Sequence, residues 1–179
     1  MLKDSDCGLV VIDVQGKLAR IIDNSEQTLR NISALIQGAK ALDLPIIWLE
    51  QTPEKLGHTV PELETLLCDE QVITKTTFSG FLNQAFQTRL ANEQRRHWLI
   101  CGIEAHICVY QTAMSLLDNN FDVTLITDAI ASRNVQHKQL AIQKLTHCGA
   151  QLSNVEMLLY ELLADANHPK FRTILQLIK

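Results

Sequence analysis

Apolar residues along this 179-residue chain gather in short continuous runs, separated by stretches where they recur every three or four positions. The first run, from Cys7 to Gln15, is continuous rather than alternating, the pattern of a strand covered on both faces in a parallel sheet. Ile46 to Leu49, Gln71 to Lys75, His97 to Cys101 and Val123 to Ile126 repeat it, and Gln151 to Ser153 is a short sixth candidate. Between these runs the spacing is helical. After the N-cap residue Ser25, Leu29, Ile32, Ile36 and Ala39 share one face until Asp43-Leu44-Pro45 ends the helix. Pro61 to Leu67, Leu82 to Ala91, Cys108 to Leu117 and Leu140 to His147 are predicted helical, with two more helices starting at Val155 and at Pro169. Strand and helix alternate throughout, which predicts a three-layer α/β/α fold: a parallel sheet, right-handed crossovers and helices on both faces. No repeat, low-complexity tract or Gly/Ser linker breaks the alternation, so residues 1–179 read as a single domain.

Two of the predicted strands end in a charge. Asp13 closes the first and Lys75 the third, at the carboxyl edge where open α/β sheets hold their ligands. Taken singly, the aspartate also suits a helix cap or turn, and the lysine a solvated position. The fourth strand leads through Gly102-Ile103-Glu104-Ala105-His106-Ile107 to Cys108, a thiol at the mouth of a helix. A helix N-terminus carries about half a positive charge and free N–H groups, so it favours thiolate and can hold an oxyanion. A buried structural cysteine opening a core helix is the other reading of that segment.

Taken together, Asp13, Lys75 and Cys108 resemble the triad of the isochorismatase-like cysteine hydrolase superfamily. The likeness extends over nearly the whole chain: Val-Ile-Asp-Val-Gln at 11–15, Lys-Thr-Thr-Phe-Ser-Gly-Phe at 75–81, Gly-Ile-Glu-Ala-His-Ile-Cys-Val at 102–109 with Gln-Thr-Ala at 111–113, and Thr-Asp-Ala-Ile-Ala-Ser-Arg at 127–133. Glu-Gln-Thr-Pro at 50–53 and Leu-Gly-His-Thr-Val-Pro-Glu-Leu at 56–63 are most similar to the YcaC-related branch. The resemblance implies a Rossmann-like six-stranded parallel sheet of order 3-2-1-4-5-6, which would bring Asp13 and Cys108 together at the switch point. It further implies that Cys108 is the nucleophile, Asp13 the base and Lys75 the cation between them. The backbone N–H groups of Glu104 and Cys108 would form the oxyanion hole, and the Ile103–Glu104 peptide would be cis. The implied reaction is hydrolysis of an amide-like C–N bond in a small molecule through a thioester, without a cofactor.

Departures from the pattern narrow the chemistry. Metal-bearing nicotinamidases of this superfamily use an Asp-x-His pair and a further histidine, whereas residues 50–63 offer only His58, so no metal site is expected. His97, His106, His137, His147 and His168 show no ligand spacing either. The isochorismate-cleaving branch needs no cysteine at position 108, so Cys108 points to acyl chemistry instead. Isochorismatase and nicotinamidase activities are therefore the disfavoured alternatives. A binding, scaffold or redox-sensing protein on the same fold is an alternative of a different class. Neighbours of the triad in sequence, Gln15, Gln51, Phe78, Phe81, His106 and Gln111, are the candidate substrate-lining residues, with Phe78 and Phe81 equally suited to the core. Arg133 suits either an anion or an acidic neighbour such as Asp128. The Glu104 side chain has three possible directions: into the site, onto a cation, or toward another subunit.

Composition bounds the partners. Sixteen basic against twenty acidic residues give a formal charge of −4, a field that repels nucleic acid and acidic membranes. Five cysteines at 7, 68, 101, 108 and 148 form no C-x-x-C pair or disulfide scaffold. That fits a reducing compartment, and residues 1–6 lead straight into the first strand without a signal sequence, so a cytoplasmic protein is expected. The apolar C-terminal region, with Met157, Leu158, Leu159, Leu162, Leu163, Phe171, Ile174, Leu175, Leu177 and Ile178, exceeds what a helix pair needs to cover a sheet edge. This predicts a homo-oligomer, a dimer or a multiple of one.

Overall fold

The computed structural model describes residues 1–179. Six strands, β1 (Cys7–Ile12), β2 (Ile46–Gln51), β3 (Val72–Lys75), β4 (His97–Ile103), β5 (Asp122–Ala131) and β6 (Gln151–Ser153), form one sheet of order β3-β2-β1-β4-β5-β6. All five pairings are parallel. Alternate residues of each inner strand face opposite layers. Leu9 and Val11 of β1 enter a core with α2 (Ser25–Ala41), α8 (Val155–Leu163) and α9 (Phe171–Leu177). Val10 and Ile12 enter a second core with α5 (Gln84–Glu93), α6 (Tyr110–Asp118) and α7 (Val135–His147). Both sets of side chains are removed from water, so the strand sequences read as unbroken apolar runs. No helix is long and apolar enough to cross a membrane.

The structure departs from the predicted elements where periodicity is silent. The four-residue helices α1 (Leu18–Ile21) and α3 (Pro53–Leu56) are too short to show a period, and α4 (Pro61–Glu64) passes into a 3-10 turn, Thr65–Leu67. Helix α7 begins at Val135, five residues before the predicted start, because the Asn134 side chain accepts the Gln136 N–H and caps it. Its first residues face solvent and leave no apolar signal. Strand β5 runs on to Ala131, past the predicted end at Ile126. It advances from Leu125 to Ile130 while β4 advances only from Ile100 to Gly102, a bulge that hides the strand's continuation. The bulge is put to use: the Asp128 carboxylate accepts the Val155 N–H at the start of α8, and the Asp128 carbonyl accepts from Asn31 of α2.

The C-terminal apolar residues largely serve this chain's own core. Leu158, Leu159, Leu162, Leu163 and Ile174 are buried, and Phe171, Leu177 and Ile178 pack against the same cluster, leaving Met157 exposed. The surplus expected from the sequence is therefore much smaller than it looked.

At the centre of the sheet two glycines let β1 and β4 close up. A Cβ on Gly8 would lie 2.4 Å from the Trp98 ring. At Gly102 the backbone has φ +119°, and a Cβ would meet the Ile12 carbonyl oxygen at 2.0 Å. These contacts hold the ends of the two strands side by side, where Asp13 and the turn to Cys108 begin.

Candidate active site

Asp13 follows β1 directly and has left-handed backbone geometry, φ 53°, sparsely populated for an aspartate and here fixed by its neighbours. Its N–H donates to the Leu49 carbonyl at 3.1 Å, and its own carbonyl accepts the Gln15 N–H at 2.9 Å. Lys75 ends β3 and is paired in register with Gln51 of β2. Its ammonium crosses beneath β2's end to donate to Asp13 Oδ2 at 2.7 Å, and both side chains are almost wholly buried. The other Asp13 oxygen, Oδ1, is buried and has no hydrogen-bond partner.

Cys108 reaches this carboxylate from the opposite strand. After β4 the cis peptide Ile103–Glu104 leads into a π-helical turn, Ala105–Val109, which continues as α6. Cys108 is 7% exposed, and it lies close enough to Asp13 that each alters the other's proton affinity. Burial raises the Asp13 carboxyl above its ordinary range, and the Lys75 ammonium only partly offsets this. Burial likewise pushes the Cys108 thiol up to about 12, with the Asp13 charge acting in the same sense and Lys75 against it. Burial and the Asp13 charge both favour the thiol over the thiolate and oppose the pull of the helix mouth. The Ile107 and Val109 N–H groups both turn back to the Glu104 carbonyl, at 3.0 and 3.3 Å, so neither is free for the sulfur. The Glu104 N–H itself donates to no backbone acceptor.

The remaining candidate residues divide into those at the triad and those turned elsewhere. Gln51 donates and accepts within the protein, its Oε1 taking a hydrogen bond from Lys75 Nζ at 2.7 Å. Gln15 is fully buried against Gln51 and Gly57. Phe78 is exposed at the rim, and Gln111 is half-buried three residues after Cys108, on the same side of its helix. Phe81 packs edge-on against Phe121, with ring centroids 6.4 Å apart, and belongs to the second core. His106 is engaged with the end of β5 and the start of α7, its Nδ1 2.9 Å from Ser132 Oγ and its ring centroid 4.6 Å from that of His137 at a 48° tilt. Glu104 takes the cation among its three possible directions: its Oε1 accepts both the backbone N–H and the Nε–H of Arg133 at 3.0 Å. Burial opposes that charge, yet the Arg133 bonds hold the carboxyl below its ordinary range. Arg133 thus pairs with an acidic neighbour, and that neighbour is Glu104 rather than Asp128.

One buried acid near the triad is not singled out by the sequence. Glu50 is 1% exposed, accepts the Thr59 N–H at 2.6 Å and lies 3.1 Å from His58 Nδ1, tying residues 57–60 against β2. Its charge adds to the factors that raise Asp13. A carboxylate directly after the apolar run 46–49 was the available signal.

A six-stranded parallel sheet of this order matches the isochorismatase-like hydrolase fold, and on it Asp13, Lys75 and Cys108 converge at the central carboxyl edge. The sequence profile of the isochorismatase domain matches residues 7–157, and the chain belongs to that family. Among its relatives, isochorismatase domain-containing protein 2 of Xenopus laevis is 35% identical over 170 residues, 95% of this chain and 82% of that protein. The structure of MAR1 ribonuclease from Caenorhabditis elegans is similar at a TM-score of 0.93 and 32% identity, over 99% of this chain and 91% of that one. YcaC from Pseudomonas aeruginosa, solved with hexane-2,5-diol and covalent acrylamide, is similar at a TM-score of 0.92 and 25% identity, over 98% and 90% of the two chains.

Proposed function

We propose that the chain is a cysteine hydrolase that cleaves an amide-like C–N bond of a small molecule through a thioester on Cys108. The observation that carries this reading is the divided Asp13 carboxylate: Oδ2 is held by Lys75, Oδ1 is buried and unpartnered, and the group as a whole lies close enough to the Cys108 thiol for each to shift the other's proton affinity. A carboxylate with raised proton affinity is the stronger base, which suits it to a thiol that does not ionise alone. As Sγ attacks the substrate carbonyl, its proton passes to Asp13 Oδ1 and the carbonyl electron pair moves onto oxygen. The N–H groups of Glu104 and Cys108 receive that oxyanion. Collapse re-forms the carbonyl and breaks the C–N bond, with Asp13 returning the proton to the leaving nitrogen. Water, deprotonated by Asp13, then attacks the thioester, and the thiol takes the proton back as the acid leaves.

The Pseudomonas aeruginosa neighbour was solved with covalent acrylamide, an electrophile that a nucleophile attacks at its double bond, which supports a nucleophilic group on this fold but not amide cleavage as such. The Caenorhabditis elegans neighbour is named a ribonuclease. For this chain a triad no more than 7% exposed and a net charge of −4 favour a small substrate over a polyanion. We also place the protein in the cytoplasm, on its unpaired cysteines, and expect a homo-oligomer. A screen of small amides and ureides for ammonia or amine release tests the reading. Wild-type protein turns over at least one of them, chelators leave the rate unchanged, and Cys108→Ala abolishes turnover while keeping the wild-type circular dichroism. Full activity in Cys108→Ala, or cleavage of RNA in place of every amide, contradicts it.

A further inference from the structure

The sequence makes Gln15 and Gln51 candidates for touching substrate, but their side chains are committed to the protein. Gln51 Nε2 donates to the Thr76 carbonyl at 2.8 Å and to Thr52 Oγ1 at 3.1 Å, which fixes the orientation of the amide and aims Oε1 at Lys75. Gln15 clamps the Gln51 backbone from the other side: its Oε1 accepts the Gln51 N–H at 2.6 Å, and its Nε2 donates to the Gln51 carbonyl at 3.0 Å and the Gly57 carbonyl at 2.6 Å. A lysine ammonium has three N–H bonds to place. Here one goes to Asp13 Oδ2 and one to Gln51 Oε1, each at 2.7 Å, and the third lies toward the Thr77 carbonyl at 3.3 Å.

We propose that Gln51 is a positioning residue for the hydrolysis, sharing the Lys75 ammonium with Asp13 and thereby setting how strong a base Asp13 is. This rests on the proposed role of Asp13 and deepens it. A neutral acceptor opposite the carboxylate draws off part of the ammonium's donation. Asp13 keeps enough proton affinity to deprotonate Cys108, while Lys75 stays fixed in place. Removing that acceptor leaves the ammonium to Asp13 and to the more distant Thr77 and Phe78 carbonyls, at 3.3 and 3.5 Å, which strengthens its hold on Asp13, stabilises the charged carboxylate and weakens it as a base. A carboxylate in the same position does the opposite, because two anions then divide one cation.

The test uses acrylamide as the probe and follows the Cys108 adduct by peptide mass spectrometry over a pH series, in full-length wild type, Gln51→Met and Gln51→Glu. Expected are an acid limb at lower pH and a plateau rate about tenfold lower in Gln51→Met, and an acid limb at higher pH in Gln51→Glu, with saturation by acrylamide little changed. Circular dichroism spectra alongside show whether each variant is folded, and Gln51→Glu keeps an acceptor of the same length should Gln51→Met unfold. An acid limb unmoved in the folded variants overturns the inference. So does a change confined to the acrylamide concentration needed for saturation, which would make Gln51 a ligand contact. A wild-type Cys108 that never labels removes the underlying base–thiol reading, and this inference with it.

Discussion

At the scale of single residues the site balances burial against pairing. Lys75 and Asp13 are both out of water and each is the other's only opposite charge at bonding distance. Removing one partner leaves the other buried and unpaired, a change that typically costs about 3–5 kcal/mol. Lys75→Met is therefore expected to lose stability of that order in urea melts, and Lys75→Met with Asp13→Leu to recover most of it. Equal stability of the single and double variants would show that the pair does not carry the charge burial assigned to it. Asp13 accepts a proton only when ionised, and burial raises its carboxyl. Turnover should accordingly fall as pH drops through a value above the ordinary aspartate range, and a rate still level at that ordinary value would contradict this. Asp13, Lys75 and Cys108 stood out in the sequence because each ends an apolar run or turn, but their grouping as a triad came from the family resemblance. The protonation state of Cys108 was not legible. It depends on how deeply the π-helical turn sinks the sulfur and where the neighbouring N–H groups point, and neither has a sequence signature.

At the scale of elements, the strands were the most legible part of the chain. Burial on both faces writes a continuous apolar run, and β1, β2, β3, β4 and β6 lie within a few residues of their predicted positions. The strand order came from the family resemblance, since periodicity carries no information on which strands are neighbours. The β5 bulge, the early start of α7 and the four-residue helices were illegible because caps and register shifts, not apolar spacing, define them. Gly102 shows how closely the elements depend on one another. Its positive φ, and the 2.0 Å that would separate a Cβ there from the Ile12 carbonyl oxygen, leave no room for a side chain. Gly102→Ala is expected to destabilise the fold by about 3 kcal/mol or more, a fall of about 6–12 °C in Tm for a domain of this size. A melting curve overlaying the wild type would show that β1 and β4 can separate at their ends without cost.

At the scale of the whole molecule, two cores form on a shared sheet that carries Asp13, Lys75 and Cys108 at its central carboxyl edge. With most of the C-terminal apolar surface taken up internally, the case for assembly rests on Leu140, Leu152, Met157 and Tyr160, each still more than a third exposed. Light scattering at micromolar concentration is expected to give a dimer or a multiple of one, and a monomer mass would refute this. Activation of Cys108 by Asp13, on which the proposed chemistry depends, is best probed by the rate of acrylamide addition to each cysteine at pH 7, resolved by peptide mass spectrometry. Cys68 and Cys148 are exposed and Cys7 and Cys101 buried, so the other four supply internal references. Cys108 is expected to label first in the wild type and to slow at least about 100-fold in Asp13→Asn, while Cys68 and Cys148 keep their rates. Labelling of Cys108 no faster than the exposed cysteines, or undiminished in Asp13→Asn, would mean that Asp13 does not activate the thiol.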